Sequence, residues 1–327
     1  LIRFLIIRFS SIGDIVLTTP VIRNLKQQVE NAEVHFLTKK QYESILSENP
    51  YIDKLHVFDG NLKNTIDELS KIEFDHVIDL HNNIRSNRVT SMLKMHSLKV
   101  NKLNWEKWLL VNLKINKLPD VHIVDRYLNT IHYFDVENDM KGLDYFIPEK
   151  DNVEINTLPE NFKNGYILFA IGAQHFTKKL PVEKIVSICK KINFPLIISG
   201  GKEDFETGEI IKNQVGETIL NACGKFNLNQ SASLVKQAKF VISHDTGLMH
   251  IASAFKKDII SVWGNTVPVF GMYPYLSGEN SIIVENNNLK CRPCSKIGFK
   301  KCPKKHFKCM NDIDESQIIK QVNKLIL

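Results

Sequence analysis

The stretch Phe240-Val241-Ile242-Ser243-His244-Asp245-Thr246-Gly247-Leu248-Met249-His250-Ile251-Ala252-Ser253-Ala254 reads as a buried strand, a polar turn with one glycine, and a helix that begins at once. A helix opening at the carboxyl end of a strand points unpaired N–H groups and the positive end of its dipole into the space beyond. In open α/β sheets phosphorylated ligands sit in that space. The segment therefore predicts an α/β fold and a nucleotide-phosphate site. Asp245 would cap the helix. Thr246, Gly247 and Leu248 would present N–H groups, and His250 lies on the first turns, where a core histidine bonded to backbone is its bland alternative.

The same alternation runs outward on both sides. Strand candidates 166–171, 196–199, 219–221 and 259–263 accompany helices at 182–192, 206–215, 229–238 and 247–255. The first half offers strands at 3–8, 33–37, 54–58 and 76–80, with helices at 14–29, 41–47, 62–71 and 85–95, then 105–113 and 123–134. The strands are short, rich in Ile, Val and Phe, and lack clean alternation, as strands covered on both faces do. Alternating strands and helices imply right-handed crossovers and parallel sheets. The polar, proline-punctuated region around 147–161 reads as a linker. The expected division is 1–155, 156–312, and an amphipathic terminal helix within 313–327.

At 327 residues, with 43% apolar and 24% charged residues, the chain can bury a core and is not expected to be disordered. No apolar run approaches the roughly 20 residues a spanning helix needs. The first nine residues carry Arg3 and Arg8 inside their apolar run, so they read as a first strand and not as a leader. A cytoplasmic protein is the expectation. The net charge of +7 suits an anionic substrate, a membrane surface or nucleic acid, and selects none of them.

Three more turns follow strands. Ser10-Ser11-Ile12-Gly13-Asp14 lacks the spaced glycines of a dinucleotide fingerprint. Asp14 is either a first-turn helix acid or a general base, which a hydroxyl nucleophile needs. Gly172-Ala173-Gln174-His175-Phe176-Thr177-Lys178-Lys179-Leu180-Pro181 places Lys178 where it could oppose a departing diphosphate, while Lys179 reads as solvated. In Ser199-Gly200-Gly201-Lys202-Glu203-Asp204, Gly201 permits close backbone approach and an acid could take ribose hydroxyls.

Taken in order, these turns resemble glycosyltransferase family 9, the lipopolysaccharide heptosyltransferases. The matching pieces are Ser10-Ser11-Ile12-Gly13-Asp14-Ile15 with Thr19-Pro20, Asp79-Leu80-His81 with Arg85-Ser86, Gly172-Ala173 with Lys178-Lys179-Leu180-Pro181, and Asp245-Thr246-Gly247-Leu248-Met249-His250 with Trp263-Gly264-Asn265-Thr266. The resemblance implies a GT-B fold: two Rossmann-like domains facing across a cleft, with the C-terminal helix crossing back to the N-domain. It also implies inverting transfer of a heptose from ADP-heptose to the lipopolysaccharide inner core, with no cofactor required for catalysis. Asp14 matches the family's base and Lys178 its phosphate-facing lysine. Asp245, Thr246, Gly247, Leu248 and His250 match the donor loop, with Gly201 and Glu203 or Asp204 toward the ribose. Ser11, Gly13 and Arg85 would meet an anionic lipid-linked saccharide acceptor, and Arg88 and Arg126 are added there without a motif. Leu180 stands where the family often has Trp. The implied location is the cytoplasm, at the cytoplasmic face of the inner membrane, with peripheral membrane contact.

Cys291, Cys294, Cys302 and Cys309 lie in one basic segment with His306. The spacing suits a structural zinc. Reduced thiols are the alternative, and a reducing cytoplasm disfavours disulfides. Two other readings compete with the transferase. One is another GT-B enzyme acting on a sugar nucleotide, such as an epimerase. The other is a zinc-containing nucleic-acid-binding protein, which leaves the four turns unexplained; no nucleic-acid partner is expected.

Overall fold

The computed structural model describes residues 1–326, so Leu327, the last residue of the expected 313–327 segment, lies outside the described residues. The chain forms two compact units. The first comprises Leu1–Lys102 and Val121–Phe146. Its strands are β1 (Ile2–Ile7), β2 (Ala32–Lys39), β3 (Lys54–Phe58), β4 (His76–Asp79) and β5 (Ser97–Lys99), all parallel in the order β3-β2-β1-β4-β5. In chain order the helices are α1 (Ile12–Val16), α2 (Thr19–Gln28), α3 (Leu62–Leu69), α4 (Ile84–Met92), α5 (Asn104–Leu113) and α6 (Ile123–Leu128); α5 belongs to the second unit.

The helix expected over 14–29 is two helices. Pro20 has no N–H and its ring would clash with the Val16 carbonyl, so one continuous helix is excluded there. The Thr18 and Thr19 hydroxyls donate to the carbonyls of Ile15 (2.7 Å) and Val16 (2.8 Å) at the break. The short strand β5 escaped the sequence reading because a single leucine between a serine and an exposed lysine makes no apolar run.

The second unit comprises Leu103–Asp120 and the chain from Ile147 onward. Its strands are β6 (Ile167–Ala170), β7 (Leu196–Ser199), β8 (Ile219–Asn221), β9 (Val241–His244), β10 (Ile259–Trp263) and β11 (Ile282–Glu285), parallel in the order β11-β10-β9-β6-β7-β8. Its further helices are α7 (Glu160–Lys163), α8 (Val182–Lys190), α9 (Phe205–Val215), α10 (Leu228–Gln237), α11 (Gly247–Ala254), α12 (Lys308–Asn311) and α13 (Glu315–Ile326). Phe169, Ile198, Ile242, Ile260 and Val262, all fully buried, form the centre of its core.

Both sheets start in the middle. In the first the strand order reverses between β1 and β4, and in the second between β6 and β9. Such reversal points leave a crevice at the carboxyl ends of the strands because the two following connections run to opposite faces.

The expected boundaries shift. The region before residue 156 is fastened to the second unit: Asp151 accepts from the side chains of Asn227 (2.9 Å) and Asn229 (3.1 Å), and the Val153 N–H donates to Ser233 Oγ (2.9 Å). Residues 103–120 join it through Lys114, which donates to the carbonyls of Cys291 and Pro293. The structure also differs from the expectation that 313–327 packs on the first domain. Ile318 and Val322 of α13 are fully buried in the second unit's core. Glu315 accepts from Ser187 and Lys191 (both 2.7 Å) on and after α8. The apolar stripe is satisfied within its own unit. Among the described residues no helix is long and apolar enough to cross a membrane.

Candidate functional site

In the first unit a polar cluster forms at the β1/β4 reversal. Asp14, in the first turn of α1, accepts on Oδ2 from the Ser11 N–H (3.1 Å) and hydroxyl (2.7 Å), and its Oδ1 lies 2.6 Å from Arg8 Nη2. Asp14 is thus the capping-box acid that helix chemistry favours. Its side chain also remains partly exposed, at 22%. Arg8 is nearly buried and donates to the carbonyls of Ser10 (2.8 Å) and Leu80 (2.6 Å). Burial works against its charge, but Asp14, aided by Tyr127 and Asp79, outweighs that and raises its pKa. Arg8 is therefore a fixed cation that orients Asp14.

From β4, the buried carboxylate of Asp79 accepts from the backbone N–H groups of His81 (2.9 Å) and Asn82 (2.7 Å) and shapes the following turn. His81 meets Phe9 edge-on at 5.6 Å. Burial, then the charges of Arg8 and Lys102, pushes its imidazole down to about 3, so it is neutral at pH 7. Arg85, exposed at the start of α4, lies 5.7 Å from the Phe9 ring and 5.2 Å from that of Phe58. Arg88 is exposed one turn further along. Arg126, on α6, is held less basic by burial and adjoins Tyr127, whose ring faces Arg8 at 5.8 Å. Gly13 is buried inside α1. The structure thus gathers Ser11, Asp14 and Arg85 around Arg8, Phe9 and His81. Sequence reading assigned no role to Arg8 or His81. The available signal for Arg8 was a charge just past the carboxyl end of β1, where the apolar run Phe4–Ile7 gives out.

In the second unit the β6/β9 reversal joins Lys178 to Asp245. Lys178 Nζ lies 2.6 Å from Asp245 Oδ2, which also accepts from Thr266 Oγ1 (2.9 Å). This corrects the expected cap: Thr246 is the N-cap of α11, and the Asp245 side chain turns to the lysine instead. Residues 245–248 are partly exposed, whereas His250 is buried behind the first turn. The first N–H groups of α11 have no intrahelical partner, so the turn remains an anion-accepting end. His244, fully buried, accepts the Leu180 N–H on Nε2 (3.0 Å). Burial, then Lys179, pushes its imidazole down to about 3. Leu180 itself is buried.

Lys179 is not the solvated lysine expected. It pairs with Asp204 at 2.5 Å, and Asp204 also accepts the Gly201 N–H (2.9 Å). Asp204 is buried and committed to this network, while Glu203 is exposed beside it. Gly172 is required here: a Cβ would lie 2.5 Å from Asp204 Oδ2 and 3.1 Å from Gly200 Cα.

The four clustered cysteines are free thiols. Cys291 Sγ lies 3.7 Å from His306 Nε2, and Cys294 donates to the Cys291 carbonyl (3.1 Å). Burial, then the neighbouring thiols, pushes Cys294 up to about 11; burial, led by Cys294 among its neighbours, pushes Cys309 up to about 12. Among the described residues no three His, Cys, Asp or Glu side chains converge to hold a metal ion. Cys189 and Cys223 are buried core thiols.

Residues 63–305 match the family described as Glycosyltransferase family 9 (heptosyltransferase). The lipopolysaccharide heptosyltransferase 1 of Campylobacter coli is 25% identical over 99% of this chain and 98% of its own length. The crystal structure of a family 9 glycosyl transferase from Veillonella parvula matches with a TM-score of 0.79 at 20% identity, covering 99% of this chain and 97% of that one. The E. coli ADP-heptose lps heptosyltransferase II matches with a TM-score of 0.76 at 18% identity, over 99% and 98% of the two chains. These likenesses bear out the expected GT-B fold with two Rossmann-like sheets.

Proposed function

Because the chain belongs to glycosyltransferase family 9, the heptosyltransferase family, we propose that it moves a heptose from ADP-heptose onto the inner core of lipopolysaccharide, inverting the anomeric centre. The acceptor is an anionic lipid-linked saccharide held by Ser11 and Gly13 with Arg85, Arg88 and Arg126. In a single displacement the acceptor hydroxyl oxygen bonds to the anomeric carbon, the bond to the diphosphate oxygen breaks, and the proton passes to Asp14. The observation that carries this reading is the setting of Asp14. Arg8 and Ser11 fix the carboxylate at a strand-order reversal, and its side chain still keeps 22% of its surface open to solvent.

The leaving ADP gains negative charge, which Lys178 and the α11 end formed by Thr246, Gly247 and Leu248 oppose. An ammonium has three donors, so Lys178 can keep Asp245 and still bond a phosphate oxygen. Gly201 and the exposed Glu203 face the ribose in this reading, and His250 supports the turn from behind. The protein works at the cytoplasmic face of the inner membrane, where such an acceptor is presented.

Asp14→Asn keeps the size and the cap but cannot take a proton. Its turnover is expected to fall on the order of 10²- to 10⁴-fold with ADP binding nearly unchanged, and, because buried Arg8 loses its carboxylate partner, stability should drop by about 1–3 kcal/mol. Near-normal turnover of the folded variant refutes the role of Asp14.

A structural zinc at Cys291, Cys294, Cys302 and Cys309 remains a proposal of its own. The closeness of Cys291 to His306 supports it, whereas among the described residues no three ligands converge. No step of the transfer is routed through it. Metal analysis of the purified protein is expected to find about one zinc per chain; metal-free protein with reactive thiols overturns the idea.

A further inference from the structure

We infer that the second unit carries a docking surface for an anionic lipid bilayer, built from the aromatic face of α5 and the lysine-rich segment around the cysteines. It deepens the reading of a lipid-linked acceptor and rests on that reading for its purpose.

Only Leu110 of α5 is buried. Trp105 and Trp108, one turn apart, are 64% and 47% exposed, and their rings stack at 5.2 Å, nearly parallel. Leu113 and Ile115, at and just beyond the end of α5, are exposed as well. Tryptophans held outward together leave a contiguous apolar patch in water, and such a patch marks an interaction site. Both ends of the helix are tied to one neighbouring segment. Lys114 donates to the carbonyls of Cys291 (3.2 Å) and Pro293 (2.6 Å), and Lys296 lies 3.4 Å from Asn104 Oδ1.

That segment contains no acidic residue between Glu285 and Asp312. Lys290, Lys296, Lys300, Lys301, Lys304, Lys305 and Lys308 are all exposed. Ile297 and Phe299 stand exposed among them. The one arginine of the stretch, Arg292, is buried against Glu285 and contributes nothing to the outside. The remaining pattern is lysines around protruding Trp, Ile and Phe, and a bilayer interface meets both needs. Its phosphates face the ammonium groups, and its acyl boundary takes the rings. Nucleic acid would satisfy the lysines but leave Leu113, Ile115 and Ile297 in water.

The test is co-sedimentation of the full chain with phosphatidylcholine vesicles, with and without phosphatidylglycerol. Binding is expected on the anionic vesicles only. It should weaken as salt rises and shift the tryptophan emission to the blue. Trp105→Ser/Trp108→Ser and, separately, Lys300→Ser/Lys301→Ser/Lys304→Ser/Lys305→Ser should each lower the partition coefficient by at least about tenfold. Both variants should keep wild-type turnover on a delipidated, soluble core acceptor. Asp14→Asn should lose that turnover and bind vesicles normally, which separates failure of the surface from failure of the transferase reading. Equal binding to neutral and anionic vesicles, unchanged binding of both variants, or salt-dependent binding to a polynucleotide without vesicle binding overturns the inference.

Discussion

Three aspartates at three strand ends have three different occupations, and their neighbours decide which. Asp204 is buried between Lys179 and the Gly201 N–H, and it holds two turns together. Asp245 is shared by Lys178 and Thr266, so it positions a cation. Asp14 alone of the three combines a fixed orientation with 22% side-chain exposure, which a base for an incoming hydroxyl requires. Lys178 is the residue whose replacement separates positioning from chemistry. Lys178→Met removes charge from the departing diphosphate, and turnover should fall on the order of 10²-fold. It also strips the mostly buried Asp245 of its cation, leaving Thr266 as partner, so stability should drop by about 1–3 kcal/mol. Steady-state kinetics beside a urea titration reads both, and unchanged kcat in a destabilised protein would confine Lys178 to a structural role. The residue types at these positions were legible in sequence. Which acid each lysine holds was not, because Lys179 and Asp204 are 25 positions apart and meet only when β6 and β7 are paired.

At the scale of elements, most strands were visible because burial on both faces leaves runs of Ile, Val and Phe, as in β1, β6, β7 and β10. The misreadings share one cause. Hydrophobic pattern reports which side of an element is covered, but not by what. The amphipathic stripe of α13 was legible, while its partner, α8 of the same unit, was not. The proline-punctuated region near 151 looked like a linker because it is polar, yet its polarity is spent on Asn227, Asn229 and Ser233. The break between α1 and α2 could have been found from Pro20 with Thr18 ahead of it, since proline is tolerated in the first helical turn and not further in.

For the whole molecule, buried neutral histidines make stability depend on pH. The folded-state pKa of His244 is pushed from 6.5 down to about 3, and His56 and His81 shift the same way, to about 4 and about 3. In that window the unfolded chain binds more protons than the folded one, so stability is full above 6.5 and is lost as pH falls toward 3. His244 alone should remove about 2 kcal/mol by about pH 5. Urea midpoints measured across that range check this; His244→Gln, whose amide oxygen can still accept the Leu180 N–H, should flatten part of the slope. The sequence by itself determined the fold class and the order of turns, because periodicity, glycines and helix-start residues are local properties. It also offered, in those turns, the base candidate and the helix start proposed to meet phosphate. Only the tertiary structure decided the unit boundaries, the pairing of Asp245 with Lys178 in place of a helix cap, and the joining of α5 to the lysine-rich segment. Those depend on contacts between residues tens to nearly two hundred positions apart, and only the folded chain selects among such contacts.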